Sequence, residues 1–285
     1  MKRIAKWIGI GLAGLLALVV AALVGVLAIS GYVIGRSHEA KAETLERPSP
    51  QLLVDAPRQA RILGCVACHG EGLKGQVMFD APNIAKVTAP NLTEVAAKAS
   101  DQQLAAAIRQ GIGHDGRALF VMPSQEYARL SDGEVAALIA YIRSQPRAAG
   151  NTDRPHIRAL GRVGVATGKF GPSRDRIQEF LTTAPLDLGP RHAAGRRIAA
   201  NACSECHGPS LGGQEMFGMA PPDLMIAGAY DYDQFRTLLR TGKTPGDKKL
   251  GLMKEVAERN FVHLTDAEIR ALHDYLRARA EKLGS

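Results

Sequence analysis

Cysteine, tryptophan and aromatic residues in general are scarce in this sequence. Its 285 residues include four cysteines and one tryptophan, and Phe, Trp and Tyr together make up 5%. All four cysteines fall in two Cys-x-x-Cys-His motifs, so none is left for a separate disulfide. Domains with so few aromatic side chains need another source of core volume, and a buried planar cofactor would provide one.

The two cysteine motifs are C-V-A-C-H at residues 65–69 and C-S-E-C-H at residues 203–207. A His directly after C-x-x-C is typical of c-type haem attachment, in which the thiols bond to the haem vinyl groups and the His binds iron. The residues predicted to do this are Cys65, Cys68 and His69, and Cys203, Cys206 and His207. Structural zinc is the main alternative, but the other histidines do not repeat with C-x-x-C spacing. The sequence therefore predicts two covalently bound c-type haems.

No charged residue occurs from Trp7 to Gly35, a run of 29 residues. A membrane span needs about 20 residues, and the basic residues before this run place its start in the cytoplasm. We therefore expect residues 1–36 to anchor the protein in the cell inner membrane, with the haem domains on the periplasmic side. A signal peptide cleaved after Ser30 is the alternative, although apolar segments of signal peptides reach only about 15 residues.

The net charge is +8 and the sequence pI is about 9.5. Such a surface favours acidic partners or anionic membranes, and a solvated basic face is the simpler interpretation. No basic and aromatic motif typical of nucleic-acid binding is present. We expect a redox protein as partner and no nucleic acid; an acidic surface on that partner would complement the positive charge.

The chain contains two copies of one pattern, seen when the haem motifs are aligned. G-Q-V-M-F at residues 75–79 matches G-Q-E-M-F at 213–217, and P-N-L at 90–92 matches P-D-L at 222–224. Each copy closes with a capping box and an apolar helical period, at residues 131–142 and 265–276. The domain boundaries that this pattern predicts are a membrane anchor at 1–36, a tether at 37–55, a first domain at 56–147, a basic linker at 148–187 and a second domain at 188–285. Mostly helical signals and no convincing alternating strand predict an all-α fold, with helices at 57–66 and 191–204 preceding the motifs.

These motifs resemble class I c-type cytochrome domains, and more narrowly the cytochrome subunits of membrane-bound alcohol and gluconate dehydrogenases. The narrower resemblance rests on P-N-L-T at 90–93, A-I-R-Q-G at 107–111, Met122-Pro123 and L-S-D at 130–132, and it covers about 51–147 and 188–282. It implies two tandem class I cytochrome c domains behind an N-terminal transmembrane helix. Those subunits typically carry three haem motifs, whereas this chain has two.

The resemblance also implies a methionine as the sixth iron ligand, in the loop before the last helix of each domain. Met122 and Met253 are the candidates, because each lies 13 residues after a matching arginine, Arg109 or Arg240. Met78 and Met216 are then expected to line the haem pockets, together with Phe79 and Phe217. Histidines outside the motifs are weaker candidates, namely His38, His114, His156, His192, His263 and His273.

Domains of this class usually carry a glycine where the first helix crosses the last. Gly195 matches that position in the second copy, whereas Pro57 occupies it in the first. The first crossing is therefore expected to use Ala60 or a shifted helix.

The resemblance favours an electron carrier without catalytic residues of its own. It implies a membrane-anchored periplasmic dihaem cytochrome c that relays electrons between a dehydrogenase or quinol-linked donor and a terminal acceptor. A dihaem enzyme, such as a peroxidase or a sulfur-compound oxidase with a labile sixth ligand at Met253, is the alternative. A docking subunit whose haems are incidental is a third interpretation.

Overall fold

A computed structural model of the protein describes residues 2–151, 153–216, 218–246 and 250–284. Its longest helix, α1 (Lys2–Gly35), reaches a mean hydropathy of 2.9 in its most apolar window. Its length and composition are sufficient to cross a membrane, and the apolar side chains of that window are exposed. The predicted N-terminal apolar helix is therefore confirmed.

The first repeat folds into helices around one apolar core. Its helices are α2 (Pro50–Ile62), α3 (Cys65–His69), α4 (Leu92–Ala96), α5 (Asp101–Gln110), α6 (Ser124–Tyr127) and α7 (Asp132–Ser144), with a 3₁₀ turn at Glu71–Leu73. Helix α2 begins well before the predicted position 57, because Ser49 caps it and Pro50 suits a first helical turn. The capping box predicted at Ser131 and Glu134 is confirmed at the start of α7. Helices α2 and α7 pack together and bury Ala60.

The fold is mostly helical, as predicted, with the addition of one small three-stranded sheet that the sequence did not signal. Strands β1 (Gln76–Ala81) and β2 (Ala85–Ala89) form an antiparallel hairpin, and β3 (His156–Ile157) adds to β2. A bulge between Val77 and Phe79 interrupts the first pairing, and the strands are short, so the alternation of apolar and polar residues is weak. The third strand comes from the linker, a pairing distant in sequence.

The described residues of the linker contact both repeats. It contains α8 (Ala159–Ala166), α9 (Ile177–Thr182) and a 3₁₀ turn at Ser173–Arg176. The backbone of Asn151 bonds to Lys74 and Asn91 in the first repeat, at 2.9 and 2.7 Å. Farther along, the Arg176 guanidinium donates to Gln214 of the second repeat at 2.9 Å. Because the linker bonds to both repeats along its course, it is much longer than a simple connection between two adjacent domains.

All the regular secondary-structure elements in the described residues of the second repeat are helices. It consists of α10 (Ala193–Ala202), α11 (Ser204–His207), α12 (Tyr232–Thr241), α13 (Leu252–Arg259) and α14 (Asp266–Gly284), with 3₁₀ turns at Pro190–His192, Leu224–Ala229 and Phe261–His263. Thr265 and Glu268 form the predicted capping box before α14. Ile62, from the first repeat, also belongs to this core and is 5% exposed. The two cores are thus in direct apolar contact.

The predicted glycine crossing is present in the second repeat. A methyl group on Gly195 would collide with the Ala271 carbonyl and lie 2.7 Å from the Tyr275 Cβ. Glycine therefore permits α10 to approach α14 closely. In the first repeat Pro57 lies inside α2, and the buried small residues are Ala56 and Ala60.

Candidate haem sites

Each attachment motif forms one short helical turn. Helix α3 spans Cys65–His69 and α11 spans Ser204–His207, with Cys203 immediately before α11. Residues three and four positions apart share one face of a helix, so the two thiols and the histidine of each motif lie on the same side. Cys65 and Cys203 also pack against the core of their own repeat. This donor arrangement fits a haem bound by two thioethers and one imidazole.

The histidine rings are oriented by backbone carbonyls from the P-x-L segments. His69 Nδ1 lies 2.8 Å from the Pro90 oxygen, and His207 Nδ1 lies 2.8 Å from the Pro222 oxygen. Burial lowers the pKa of both imidazoles below the ordinary histidine value. A neutral ring that donates from Nδ1 leaves Nε2 as a free electron pair for iron. The histidine geometry therefore fits the haem as well.

The repeated G-Q pair supports the attachment turn. The Gly75 and Gly213 amides donate to the carbonyls of His69 and His207, at 2.7 and 2.9 Å. The adjacent Gln76 amide group donates to the Ala67 carbonyl at 2.7 Å and the Cys68 carbonyl at 3.1 Å, and Gln214 donates to the Glu205 carbonyl. These bonds satisfy carbonyls at the end of each short helix, which would otherwise have no partner.

Both glycines of this pair adopt a positive φ, at 78° and 84°. A side chain on Gly75 would also meet the Asn91 amide and the Ala89 carbonyl. The left-handed backbone conformation and the lack of space together require glycine at these positions.

The two candidate axial methionines and the two methionines of the repeated stretch lie in different environments. Met122 and Met253 are partly buried and pack against the first and second cores. Met78 is 36% exposed on strand β1, beside the exposed Phe79. Met216 is half-buried and its amide bonds to the Met219 carbonyl at 2.9 Å; Phe217 lies outside the described residues. Burial against the same cores as the attachment cysteines distinguishes Met122 and Met253 from the other two.

The two candidate methionines are held by different backbones. Met122 precedes Pro123 and α6, and its carbonyl accepts from Ser124 at 2.9 Å. Met253 lies in the first turn of α13, after Gly251 at φ 51°. Pro123 restricts the backbone beside Met122, and the geometry of α13 restricts the backbone of Met253.

The attachment turn of the second repeat meets α6 of the first. The Glu205 amide donates to the Glu126 carboxyl at 3.2 Å, and the Gln125 side chain donates to the Glu205 carboxyl. Burial, and then the nearby Glu205 charge, raises the pKa of Glu126 well above its ordinary value. Burial also raises the pKa of Glu205 to about 7. Two carboxyls in this position therefore hold a proton under conditions in which exposed ones do not.

The reciprocal contact joins α13 of the second repeat to the attachment turn of the first. The Arg259 guanidinium donates to the Ala67 carbonyl at 3.1 Å. Helix α6 begins two residues after the candidate axial methionine Met122, and the other candidate, Met253, lies in the first turn of α13. Both attachment turns therefore face the interface between the repeats.

Two exchanged arginines complete this interface. Arg58 of α2 donates to Glu268 at 2.7 and 3.0 Å and to the His263 carbonyl at 3.1 Å. In return, Arg197 of α10 pairs with Glu134. Both glutamates close the capping boxes of the last helices, α7 and α14. The repeats are thus related by an approximate two-fold arrangement of contacts.

His273 is the best-defined histidine outside the motifs. It is 2% exposed, and its Nε2 lies 2.9 Å from the Tyr230 carbonyl. Its ring packs against Phe235 and Tyr232, with centroid separations of 5.1 and 5.9 Å. These contacts describe a core residue.

The family profile for cytochrome c matches residues 58–146 and 192–280. The chain belongs to the cytochrome c family. The two matches cover both attachment motifs and confirm two c-type haems, one for each repeat. They also confirm the predicted pair of cytochrome c domains.

Curated relatives support the narrower resemblance. The chain is 26% identical to the fructose dehydrogenase cytochrome subunit of Gluconobacter japonicus, across 75% of this chain and 50% of that protein. It is 28% identical to the gluconate 2-dehydrogenase cytochrome c subunit of Pantoea cypripedii, across 78% and 58% of the two chains. For the quinone alcohol dehydrogenase cytochrome c subunit of Gluconobacter oxydans the identity is 26%, across 90% and 59%. The chain thus spans between half and three-fifths of these relatives' lengths.

Sequence reasoning missed the interface residues Gln125, Glu126, Glu205 and Arg259. Glu205 lies inside an attachment motif, and an acidic residue there gave a weak signal for a buried carboxyl. The others occupy ordinary polar positions on short helices. Their role depends on how the repeats pack, which the local pattern does not encode.

Proposed function

We propose that this protein is a membrane-anchored periplasmic dihaem cytochrome that passes electrons from a dehydrogenase or quinol-linked donor to a terminal acceptor. The reciprocal packing of α6 and α13 against the two attachment turns carries this proposal. Contacts of that kind support a location of both cofactors near one interface. The relatives' roles as cytochrome subunits of dehydrogenases agree with a redox protein as partner.

The proposed ligands are the two motif histidines, His69 and His207, and the two core methionines, Met122 and Met253. A haem with His and Met ligands supplies a one-electron couple at a raised potential and has no open position for substrate. The Pro90 and Pro222 carbonyls hold the histidine rings in one orientation. The apolar cores that contact Met122 and Met253 would limit the access of water to these two ligands. These residues favour electron transfer over catalysis at iron.

For localisation and organisation, we infer that α1 lies in the inner membrane with the haem domains in the periplasm. Basic residues before α1 and none within its apolar run support that orientation. The proposed boundaries remain 56–147 and 188–285 for the domains and 148–187 for the linker. The structure supports an earlier start of the first domain, because α2 begins at Pro50.

The absorption spectrum of the oxidised full-length protein tests this function. Two Met-to-iron charge-transfer bands and two low-spin haems are expected. Complete reduction by a partner dehydrogenase with its substrate, in membranes that contain both proteins, is the second expected result. A high-spin haem in the second domain would instead support the dihaem enzyme. Two low-spin haems that stay oxidised during dehydrogenase turnover would support the docking subunit.

A further inference from the structure

The last turns of α1 are covered by α8 of the linker. Helix α8 packs along α1, and Ser30 is fully buried in that contact. The Arg162 guanidinium donates to the Ser30 hydroxyl at 3.2 Å. Most of α1 before this point is exposed. The linker helix is therefore attached to the outer end of the proposed membrane span.

The depth of α8 follows from helix geometry. Twenty residues from Trp7 to Val26 extend about 30 Å, the thickness of the hydrocarbon core. Ser30 then lies about 6 Å farther out, at the level of the lipid headgroups. A hydroxyl and guanidinium pair is costly in hydrocarbon and tolerated among headgroups, which agrees with this depth. Helix α8 would thus lie in the membrane interface.

The face of α8 that points away from the protein is apolar. Leu160 is 60% exposed and Val163 is 42% exposed, whereas Gly161 and Val165 are buried. Leu160 and Val163 thus lie on the face of this short helix opposite the buried residues. No described residue covers that apolar face. Contiguous exposed apolar patches commonly mark surfaces that contact a membrane or another protein.

The turn between β1 and β2 extends this apolar face. Ile84 is 50% exposed. Its carbonyl accepts from the Arg158 amide at 2.8 Å, and the Leu160 amide donates to the Asn83 carbonyl at 2.8 Å. A side chain at Gly161 would collide with the Ile84 carbonyl, so the turn and helix are in close contact. They form one rigid unit.

Two of the three cations beside this unit are paired with carboxylates, and the third bonds to a hydroxyl. Arg158 pairs with Asp80 and donates to the Ala81 carbonyl at 3.0 Å. Arg162 bonds to Ser30, and Lys86 lies 3.7 Å from Asp153. Contact with lipid would therefore depend on apolar insertion, with little need for anionic headgroups.

We propose that α8 and the turn at residues 82–84 form a membrane foot whose exposed apolar side chains Ile84, Leu160 and Val163 enter the boundary between headgroups and acyl chains. The foot and α1 together hold the haem domains in one orientation above the bilayer. This inference rests on the proposed membrane anchor. A single helix could rotate and tilt freely, and a second contact prevents that.

Photo-crosslinking to lipid tests the foot in the full-length dihaem protein. We would introduce p-benzoylphenylalanine in place of Leu160 or Ile84 and reconstitute each variant in phosphatidylcholine nanodiscs. Leu23, within the proposed span, is the positive control. Val54 of α2 and Leu181 of α9 are matched negative controls, because both are exposed apolar residues outside the foot. Haem absorbance and the mass of lipid-modified peptides are measured for every variant.

We expect lipid adducts at Leu160 and Ile84 at least about tenfold above those at Val54 and Leu181. Adding phosphatidylglycerol or salt should change these yields by less than about twofold, because Arg158 and Lys86 are paired with carboxylates and the proposed contact is made by apolar side chains. Background yields at Leu160 and Ile84 with strong labelling at Leu23 would overturn the foot and leave the anchor in place. Labelling that requires anionic lipid would overturn apolar insertion. Failure of Leu23 to label would overturn the anchor and the foot together.

Discussion

In the first repeat the segment after the attachment motif becomes strand β1, whereas in the second repeat it stays irregular and Met216 bonds to Met219 across a tight turn. In both repeats the glycine that begins this segment bonds to the carbonyl of the motif histidine, and the glutamine bonds to the carbonyl two residues before that histidine. Gln76 and Gln214 each reach carbonyls of their attachment turn. This difference indicates that the attachment turn requires only the first two residues of the repeated stretch. The rest of the stretch is free to follow its local packing.

The two repeats also differ in how their first and last helices cross. In the second repeat Gly195 permits direct backbone contact, whereas the first repeat has Pro57 in α2 and packs through alanines. Both crossings bury a similar set of apolar residues beside the attachment turn. The same fold thus accommodates either a glycine contact or alanine packing where the first and last helices cross. Substitutions at the crossing should therefore change the stability of the two repeats unequally.

Removal of one pair of attachment cysteines should have the largest effect. Cys65→Ala with Cys68→Ala, or Cys203→Ala with Cys206→Ala, should abolish one haem and leave about half of the reduced haem absorbance, because each motif binds one group. Absorbance after denaturation measures the haem content of each variant. Loss of both haems from either variant would contradict independent attachment and indicate that the repeats mature together.

Substitution of the candidate axial methionines should break each iron centre separately. Met122→Ala and Met253→Ala should each remove one of two Met-to-iron charge-transfer bands and lower the potential of one haem, because a thioether favours the ferrous state. Near-infrared absorbance and a redox titration measure this. Met78→Ala and Met216→Ala are matched controls that should keep both bands. A band lost from a control variant would reverse the ligand assignment.

The helix crossings should differ in their tolerance of a methyl group. Gly195→Ala is expected to lower the free energy of unfolding by about 1–3 kcal/mol, because the added carbon collides with the Ala271 backbone. Gly133→Ala in α7 meets only the end of the Leu52 side chain at 3.2 Å, so it should be nearly neutral. Thermal unfolding monitored by circular dichroism compares the two variants. Equal losses of stability in the two variants would show that the contact between α10 and α14 does not require a glycine at position 195.

The exchanged arginines should contribute unequally to docking of the repeats. Arg58→Ala should lower the free energy of unfolding by about 1–2 kcal/mol, because this side chain is 28% exposed and bonds to two carboxylates. Arg197→Ala should have an effect below about 0.5 kcal/mol, since its side chain is 65% exposed. Chemical denaturation of each variant measures this. A larger loss for Arg197→Ala would invert the comparison.

Acid should weaken the Arg58 contact by a small amount. Burial raises the pKa of Glu268, but the hydrogen bonds from Arg58 and Thr265 lower it by more than burial raises it. The pKa of Glu268 therefore lies below the ordinary 4.5. A carboxyl with a lowered pKa stabilises the folded state fully above its unfolded value, and this contribution is lost as pH falls through the folded pKa. Stability should therefore decline below about pH 4.5, and Glu268→Gln should flatten that decline. An unchanged pH profile in this variant would exclude Glu268 as a contributor.

Local chemistry made much of this protein predictable. Cys65, Cys68 and His69 lie within five residues, and Ser131 and Glu134 within four, so their sequence spacing nearly determines their geometry. The strand pairing of β2 with β3 spans about 70 residues and left no short-range signal. The early start of α2 depended on Ser49 and Pro50, which the sequence pattern placed in a polar tether.

Patterns of neighbouring residues in the sequence are sufficient to identify the two haem-attachment motifs with their histidines, the apolar N-terminal helix and the capped last helix of each repeat. The contacts of Glu126 with Glu205, of Arg58 with Glu268, and of α8 with the outer end of α1 are visible in the folded protein alone. These contacts join residues far apart in the chain. Their formation depends on the shapes and charges of whole packed surfaces, which no local spacing records.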